Sequence, residues 1–262
     1  ATALFERRLL CGDESLVAPL EKALAHPRVW PVEDFFVAKR DEQVARHRHY
    51  DHVDYKLEPN IKTSPGGLRD IQTTLWVCSR RYGTTNIDQL VTLGVLSTTE
   101  ARWLNDGRRF LWWVRYGLHS LAGRKEDQLH FARQRELSQR LGFMDTESKS
   151  AVELFMQHYY RRVMALSDVN DIVLQHFQED MTAKKRSSLE RLNDRFRLIN
   201  RRIDITEPDV FLRNPSAMLE MFFLMAQREE NIRVRVRTIR ALREAVHLSL
   251  IHISEPTRPS QI

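Results

Sequence analysis

From Val152 to Phe177 the apolar residues Val152, Phe155, Met156, Tyr159, Val163, Leu166, Val169, Val173 and Phe177 recur at steps of three and four. A helix turns once in about 3.6 residues, so this spacing collects them on one stripe and predicts a single helix of about seven turns. An apolar stripe of that length needs other elements to cover it. Ser97-Thr98-Thr99-Glu100 is a capping box, in which the Ser97 oxygen accepts from the third helical N–H and Glu100 reaches back. It opens a helix with Leu104, Leu111, Val114, Leu118 and Leu121 on one side. Leu68, Ile71, Leu75, Cys78 and Tyr82 form a further stripe that Gly83 stops, and Gly142 ends a short helix before the long one. Nine glycines and nine prolines in 262 residues are few, which favours helices over a turn-rich β architecture. The expected fold is mainly α, built on an antiparallel helical bundle.

The pattern changes after about residue 180. Lys184 to Ser188 reads as an exposed linker, and Arg195–Ile199 and Arg202–Ile205 alternate around Asn200-Arg201 as a small β-hairpin within 195–205. Asn214-Pro215 reads as a cap with proline at the first helical position. Met218, Met221, Phe222 and Met225 then form a buried face, with the methionines as core filler. Residues 248–262, LSLIHISEPTRPSQI, read as a non-native tail and are left out of the functional expectations.

Charge and composition narrow the function. The length suffices for two ordinary domains, and 42% hydrophobic residues suffice for real cores. Forty-one Lys and Arg against 35 Asp and Glu give +6, which suits anionic partners without specifying them. Cys11 and Cys78 lack metal-ligand spacing and fit a reducing cytoplasm, and no apolar run is long enough to cross a bilayer. No nucleic acid or membrane partner is expected. The arginines at 233, 235, 237, 240 and 243 surround an ordinary apolar helix pattern, and Trp103, Trp112 and Trp113 read as bundle core and rim. His47, His49 and His52 with Asp51 and Asp54 could coordinate a metal. Arg46 and Arg48 are interleaved with them and raise the electrostatic cost of a cation, so a solvated surface is expected instead.

Residues 58–73, EPNIKTSPGGLRDIQT, point past packing to chemistry. An extended run, Tyr55 to Lys62, meets a Ser64-Pro65-Gly66-Gly67 turn, and a helix opens at Leu68. Glycines let a backbone approach a ligand, and the free N–H groups of a helix start favour an anion. Lys62 and Arg69 flank the turn as point charge and planar fork, the two cation types that hold phosphate. Asp70 could hold a metal or fix Arg69, and Glu58 is a second candidate catalytic carboxylate. The same letters also suit an ordinary Pro-Gly-Gly connection.

Asn60, Ile61, Lys62, Gly66, Gly67, Arg69 and Asp70 resemble the signature that follows the catalytic strands of the PII uridylyltransferase/uridylyl-removing enzymes. Glutamine synthetase adenylyltransferases carry a similar block, but Leu57-Glu58-Pro59 and Asp70-Ile71-Gln72-Thr73 resemble the uridylyltransferase branch more. Arg8-Leu9-Leu10, Gly12-Asp13, Phe35-Phe36, Ala38-Lys39, Glu42-Gln43 and Arg46-His47 are similar to that family too, as is Phe211–Phe222, FLRNPSAMLEMF. The resemblance runs from about residue 1 to about 247. It implies a nucleotidyltransferase-like α+β remnant over 1–75, a helical bundle over 76–180, and a hairpin with helices over 181–247 leading toward a hydrolase domain.

The activity it implies is transfer of UMP from UTP to a tyrosine of the PII signalling protein, and hydrolytic removal of that UMP, in the bacterial cytoplasm. Mg²⁺ is the implied cofactor. The family's Gly-Ser turn with its Asp-x-Asp strand does not occur here, nor does any His-Asp dipeptide. The chain is therefore expected to be an internal fragment, inactive alone, with its metal carboxylates upstream. Lys62, Gly66, Gly67 and Arg69 are the implied phosphate-binding residues, and Asp70 and Glu58 the implied catalytic ones. An adenylyltransferase acting on glutamine synthetase and a catalytically inert helical interaction module remain the alternatives.

Overall fold

The computed structural model describes residues 2, 4, 7, 9–26, 28–50, 57–183, 188–228 and 232–254, with side chains through 246. Two compact units divide it, Ala1–Leu174 and Gln175–Ile262. One helix, Leu68–Tyr82, runs across residue 75 inside the first unit.

The first unit is helical: α1 (Val17–Ala25), α2 (Val32–Arg48), α3 (Leu68–Tyr82), α4 (Ile87–Thr92), α5 (Thr98–Ala122), α6 (Phe131–Arg140) and α7 (Ala151–Ala183), whose last turns belong to the second unit. The capping box forms as the sequence predicts: Glu100 N–H donates to Ser97 Oγ at 3.2 Å, and Ser97 N–H to the Glu100 carboxylate at 2.8 Å. Leu104, Leu111, Val114 and Leu118 on α5 and Phe155, Tyr159, Val163 and Leu166 on α7 are all buried, each such side chain contributing about 1.5–3 kcal/mol. Gly107 sets how closely α5 and α7 cross, since a Cβ there would stand 2.7 Å from the Leu166 side chain.

Helix α7 is longer than its apolar stripe. Beyond Phe177 the buried group is Glu179, 8% exposed, which accepts from Val236 N–H at 3.0 Å and from Arg235 Nε at 3.2 Å. A polar anchor extends the helix where hydrophobic periodicity has stopped.

The second unit carries a sheet in the order β1 (Leu189–Arg191), β2 (Phe196–Ile199), β3 (Arg202–Ile205) and β4 (Arg233–Val234), with α8 (Val210–Arg213), α9 (Ala217–Ala226) and α10 (Val236–Ser254). The expected hairpin is β2–β3. Ile199 faces Arg202, and Asn200 and Arg201 take φ of 50° and 60°, the left-handed pair that a two-residue hairpin turn needs. β1 pairs antiparallel with β2, while β4 pairs parallel with β3. In the expected linker only Ser188 is described, and it is exposed; residues 184–187 lie outside the described residues.

Two local expectations fail. Pro215 is not the first helical residue, because Asn214 closes α8 and α9 begins at Ala217 after Ser216. Met221 is buried and Met218 and Met225 pack partly buried against the same core, so the expected face of α9 departs at Phe222 alone, which is 55% exposed. Of the expected tail, residues through Ser254 continue α10, and 255–262 lie outside the described residues.

Candidate functional site

The segment ahead of α3 is a wound turn rather than the expected strand. Residues 51–56 lie outside the described residues, and Asn60 forms one isolated bridge, to Gln128. Ile61 N–H donates to Asp127 O and Leu129 N–H to Pro59 O, both at 2.9 Å. The Asn60 side chain then winds the backbone, accepting from Lys62 N–H at 3.1 Å and Thr63 N–H at 2.9 Å.

The amides expected to cradle phosphate are already used. Gly66 N–H donates to Asp70 Oδ2 at 2.7 Å, Gly67 N–H to Ser64 O at 2.9 Å, Leu68 N–H to Ile61 O at 3.1 Å and Arg69 N–H to Lys62 O at 2.8 Å. Gly66 and Gly67 are both buried, and Gly66 has φ +70°. A Cβ on Gly66 would lie 2.2 Å from Val163 O, and one on Gly67 2.8 Å from Ser64 O. The close approach these glycines permit is made to α7 and to their own turn.

Asp70 is 1% exposed. Besides Gly66 N–H, its carboxylate accepts from Arg46 Nη2 at 2.5 Å and pairs with His47 Nε2 at 2.9 Å. Its backbone oxygen accepts from Asn170 Nδ2 at 3.2 Å, and Asn170 Oδ1 in turn accepts from Gln43 Nε2 at 2.5 Å. Asp70 therefore ties α2, α3 and α7 to the turn. Its oxygens are committed to Gly66, Arg46 and His47, and the arginine that it pairs with is Arg46. His47 is correspondingly drawn inward, its side chain 16% exposed, instead of lying on a solvated surface. His49 stacks edge-on against Tyr50, and His52 lies outside the described residues. Among the described residues no group of three or more His, Cys, Asp or Glu could hold a metal ion.

Glu58 caps α6 from across the chain. It accepts from Phe131 N–H at 2.7 Å and pairs with His130 Nδ1 at 3.3 Å. The Phe131 N–H, foremost, holds its carboxyl below the usual range. This satisfies an orphan donor at the helix start and leaves Glu58 a structural partner there.

Lys62 and Arg69 are different. Arg69 lays its guanidinium 5.4 Å from the centre of the Trp76 ring, which Lys39 Nζ also approaches at 5.1 Å. Burial pushes the Lys62 ammonium below the usual lysine range, Arg69, Lys125 and Arg115 push the same way, and Asp127 opposes them. Around the Lys62 head thus gather groups that the sequence reading missed. Arg115 Nε donates to Asp127 Oδ1 at 2.7 Å, and His119 Nε2 lies 3.1 Å from the same oxygen. Burial raises the Asp127 pKa, but the bonds from Arg115 and His119 outweigh it and hold the carboxyl below its usual range. The available signal was the four-residue spacing of Arg115 and His119, followed by the charged loop Arg124-Lys125-Glu126-Asp127.

Comparison with known proteins gives the family. Residues 34–174 match the family model described as GlnD PII-uridylyltransferase, and residues 196–256 match the one described as uridylyltransferase GlnD third domain. Bifunctional uridylyltransferase/uridylyl-removing enzymes are similar over 248 residues, at 47% identity in Pseudomonas aeruginosa (strain LESB58) and 50% in Pseudomonas putida (strain GB-1). Each alignment takes in 94% of this chain, and the chain spans 28% of the length of those relatives. No solved structure matches it. With more than half of its residues inside one family model, the chain belongs to the GlnD PII-uridylyltransferase family.

Proposed function

We propose that this chain forms part of an enzyme that transfers UMP from UTP to a tyrosine of the PII protein and hydrolytically removes it. In the forward reaction the tyrosine oxygen attacks the α-phosphorus, the bond to the β-phosphate oxygen breaks, and pyrophosphate leaves. Negative charge builds on the leaving oxygens, and fixed cations lower the cost of that step. Lys62 and Arg69 are the residues proposed for this role. The observation that carries it is that both flank the turn within the matched segment, where no ion pair holds either among the described residues.

The Mg²⁺ that the reaction calls for does not fit the carboxylates here. Asp70 is saturated by Arg46, His47 and Gly66, and Glu58 is turned to α6. No step on this chain is assigned to a metal, and its ligands are proposed to come from another part of the enzyme. The setting proposed is the bacterial cytoplasm; no helix among the described residues is long and apolar enough to cross a membrane.

The test is a full-length enzyme carrying this segment, assayed with UTP and PII and, in parallel, with ATP and glutamine synthetase. Arg69→Ala is expected to lower kcat/KM for UTP at least tenfold while leaving thermal unfolding nearly unchanged. Equal loss of activity and stability would make Arg69 structural, and turnover with ATP and glutamine synthetase alone would replace the reading with adenylyl transfer.

A further inference from the structure

We propose that Lys62, Arg69, Arg115 and Lys125 form one site for a polyphosphate chain, with Asp127 as the residue that positions it. The inference rests on the reading of nucleotidyl transfer and names side chains where the sequence had suggested backbone amides. Three segments distant in the chain converge here. The turn before α3 supplies Lys62 and the first turn of α3 Arg69, α5 supplies Arg115, and the loop after α5 supplies Lys125 and Asp127. They are locked in register by the Ile61–Asp127 and Leu129–Pro59 hydrogen bonds, so Lys62 cannot slide relative to Asp127.

The charges do not balance within the protein. Asp127 faces the cluster, but Arg115 and His119 already occupy its Oδ1, and Arg115 Nη2 donates to its Oδ2 at 3.5 Å. Glu126, the next acid, turns to Gln128 N–H at 3.1 Å and to Arg124 at 3.2 Å. Lys62 and Lys125 are left without an ion pair among the described residues, close enough to repel each other. Like charges brought together on a locked backbone cost free energy unless an anion joins them. A phosphate chain suits the set, because Arg69 offers a planar fork and the lysines offer point charges, while Arg115, with Nε and Nη2 turned to Asp127, adds positive charge beside them. Arg115 also lies 5.2 Å from the centre of the Trp112 ring, which fixes the guanidinium from a second side.

The same chemistry is found in the tail of a nucleoside triphosphate and in free polyphosphate. Calorimetric titration of this chain with inorganic tripolyphosphate and, separately, with UTP distinguishes them. Both are expected to bind, and Lys125→Ala, at an exposed loop position, should weaken both about tenfold. Lys22→Ala on α1, a loss of equal charge elsewhere, should leave binding unchanged. Absence of tripolyphosphate binding overturns the site, as does equal weakening by the two substitutions or binding of UTP alone. Loss of uridylyl transfer in the full-length enzyme with tripolyphosphate binding intact would instead overturn the reaction and keep the site.

Discussion

Asp70 and Asp127 are built from the same parts and put to different ends. Each carboxylate is held by one arginine and one histidine from a single helix: Arg46 and His47 on α2 for Asp70, Arg115 and His119 on α5 for Asp127. Asp70 has a 1% exposed side chain and a third donor in Gly66 N–H, so its charge is consumed inside the fold. Asp127 is 13% exposed and surrounded by more positive charge than it can neutralise. Burial with full satisfaction makes the first a structural tie. Partial exposure with surplus cations makes the second a place where an outside anion gains.

The largest expected effect breaks that contrast at Asp70. Asp70→Ala leaves the partly buried Arg46 beside no carboxylate and should cost about 3–5 kcal/mol in urea unfolding. Asp127→Ala, at a wetter site, should cost about 1–2 kcal/mol. Equal costs would mean that burial is not what separates the two.

Gly66→Ala comes next. The new Cβ meets Val163 O, and φ of +70° disfavours any side chain, so a loss of about 3 kcal/mol is expected from the combined clash and strain. If Gly66 instead faced a ligand, the variant would unfold normally and fail only in tripolyphosphate binding.

Much of this fold could be read from the sequence, and what escaped has physical causes. Helices α5 and α7 announce themselves because caps and apolar spacing are local signals. β1 and β4 do not, being three and two residues long and rich in charge, with pairing that comes from distant chain. The block at 58–73 was visible as a turn into a helix, but composition could not tell who receives its amides. The recipients, Ile61 O, Lys62 O, Ser64 O and Asp70, emerge only once the turn is wound. Arg115, Lys125 and Asp127 escaped because their relation to Lys62 spans more than fifty residues of sequence, beyond any periodic pattern.

Asp127→Asn sharpens the contrast from the other side. The amide keeps the shape and removes a negative charge facing the bound anion, so tripolyphosphate should bind severalfold more tightly. Unchanged affinity would put the anion out of reach of Asp127. At Asp70 the same Asn substitution should leave affinity alone apart from its effect on folding, since that carboxylate is closed off from the cluster.

The smallest effect concerns pH and Lys62. Burial and the neighbouring cations lower its pKa, so as pH rises the ammonium loses its proton earlier than an ordinary lysine would. An anion site that needs this charge therefore weakens as pH climbs through the Lys62 range. Lys62→Arg stays protonated throughout, so its tripolyphosphate affinity should remain flat over the interval where the parent declines by a few-fold. The charged groups facing Lys62 are Arg69, Arg115, Lys125 and Asp127. Guanidinium groups keep their charge across this interval, and Asp127, held below the usual carboxylate range, has already lost its proton. Matching profiles for the parent and Lys62→Arg would take Lys62 out of contact with the anion and leave Asp127 holding an arginine with no ligand to share.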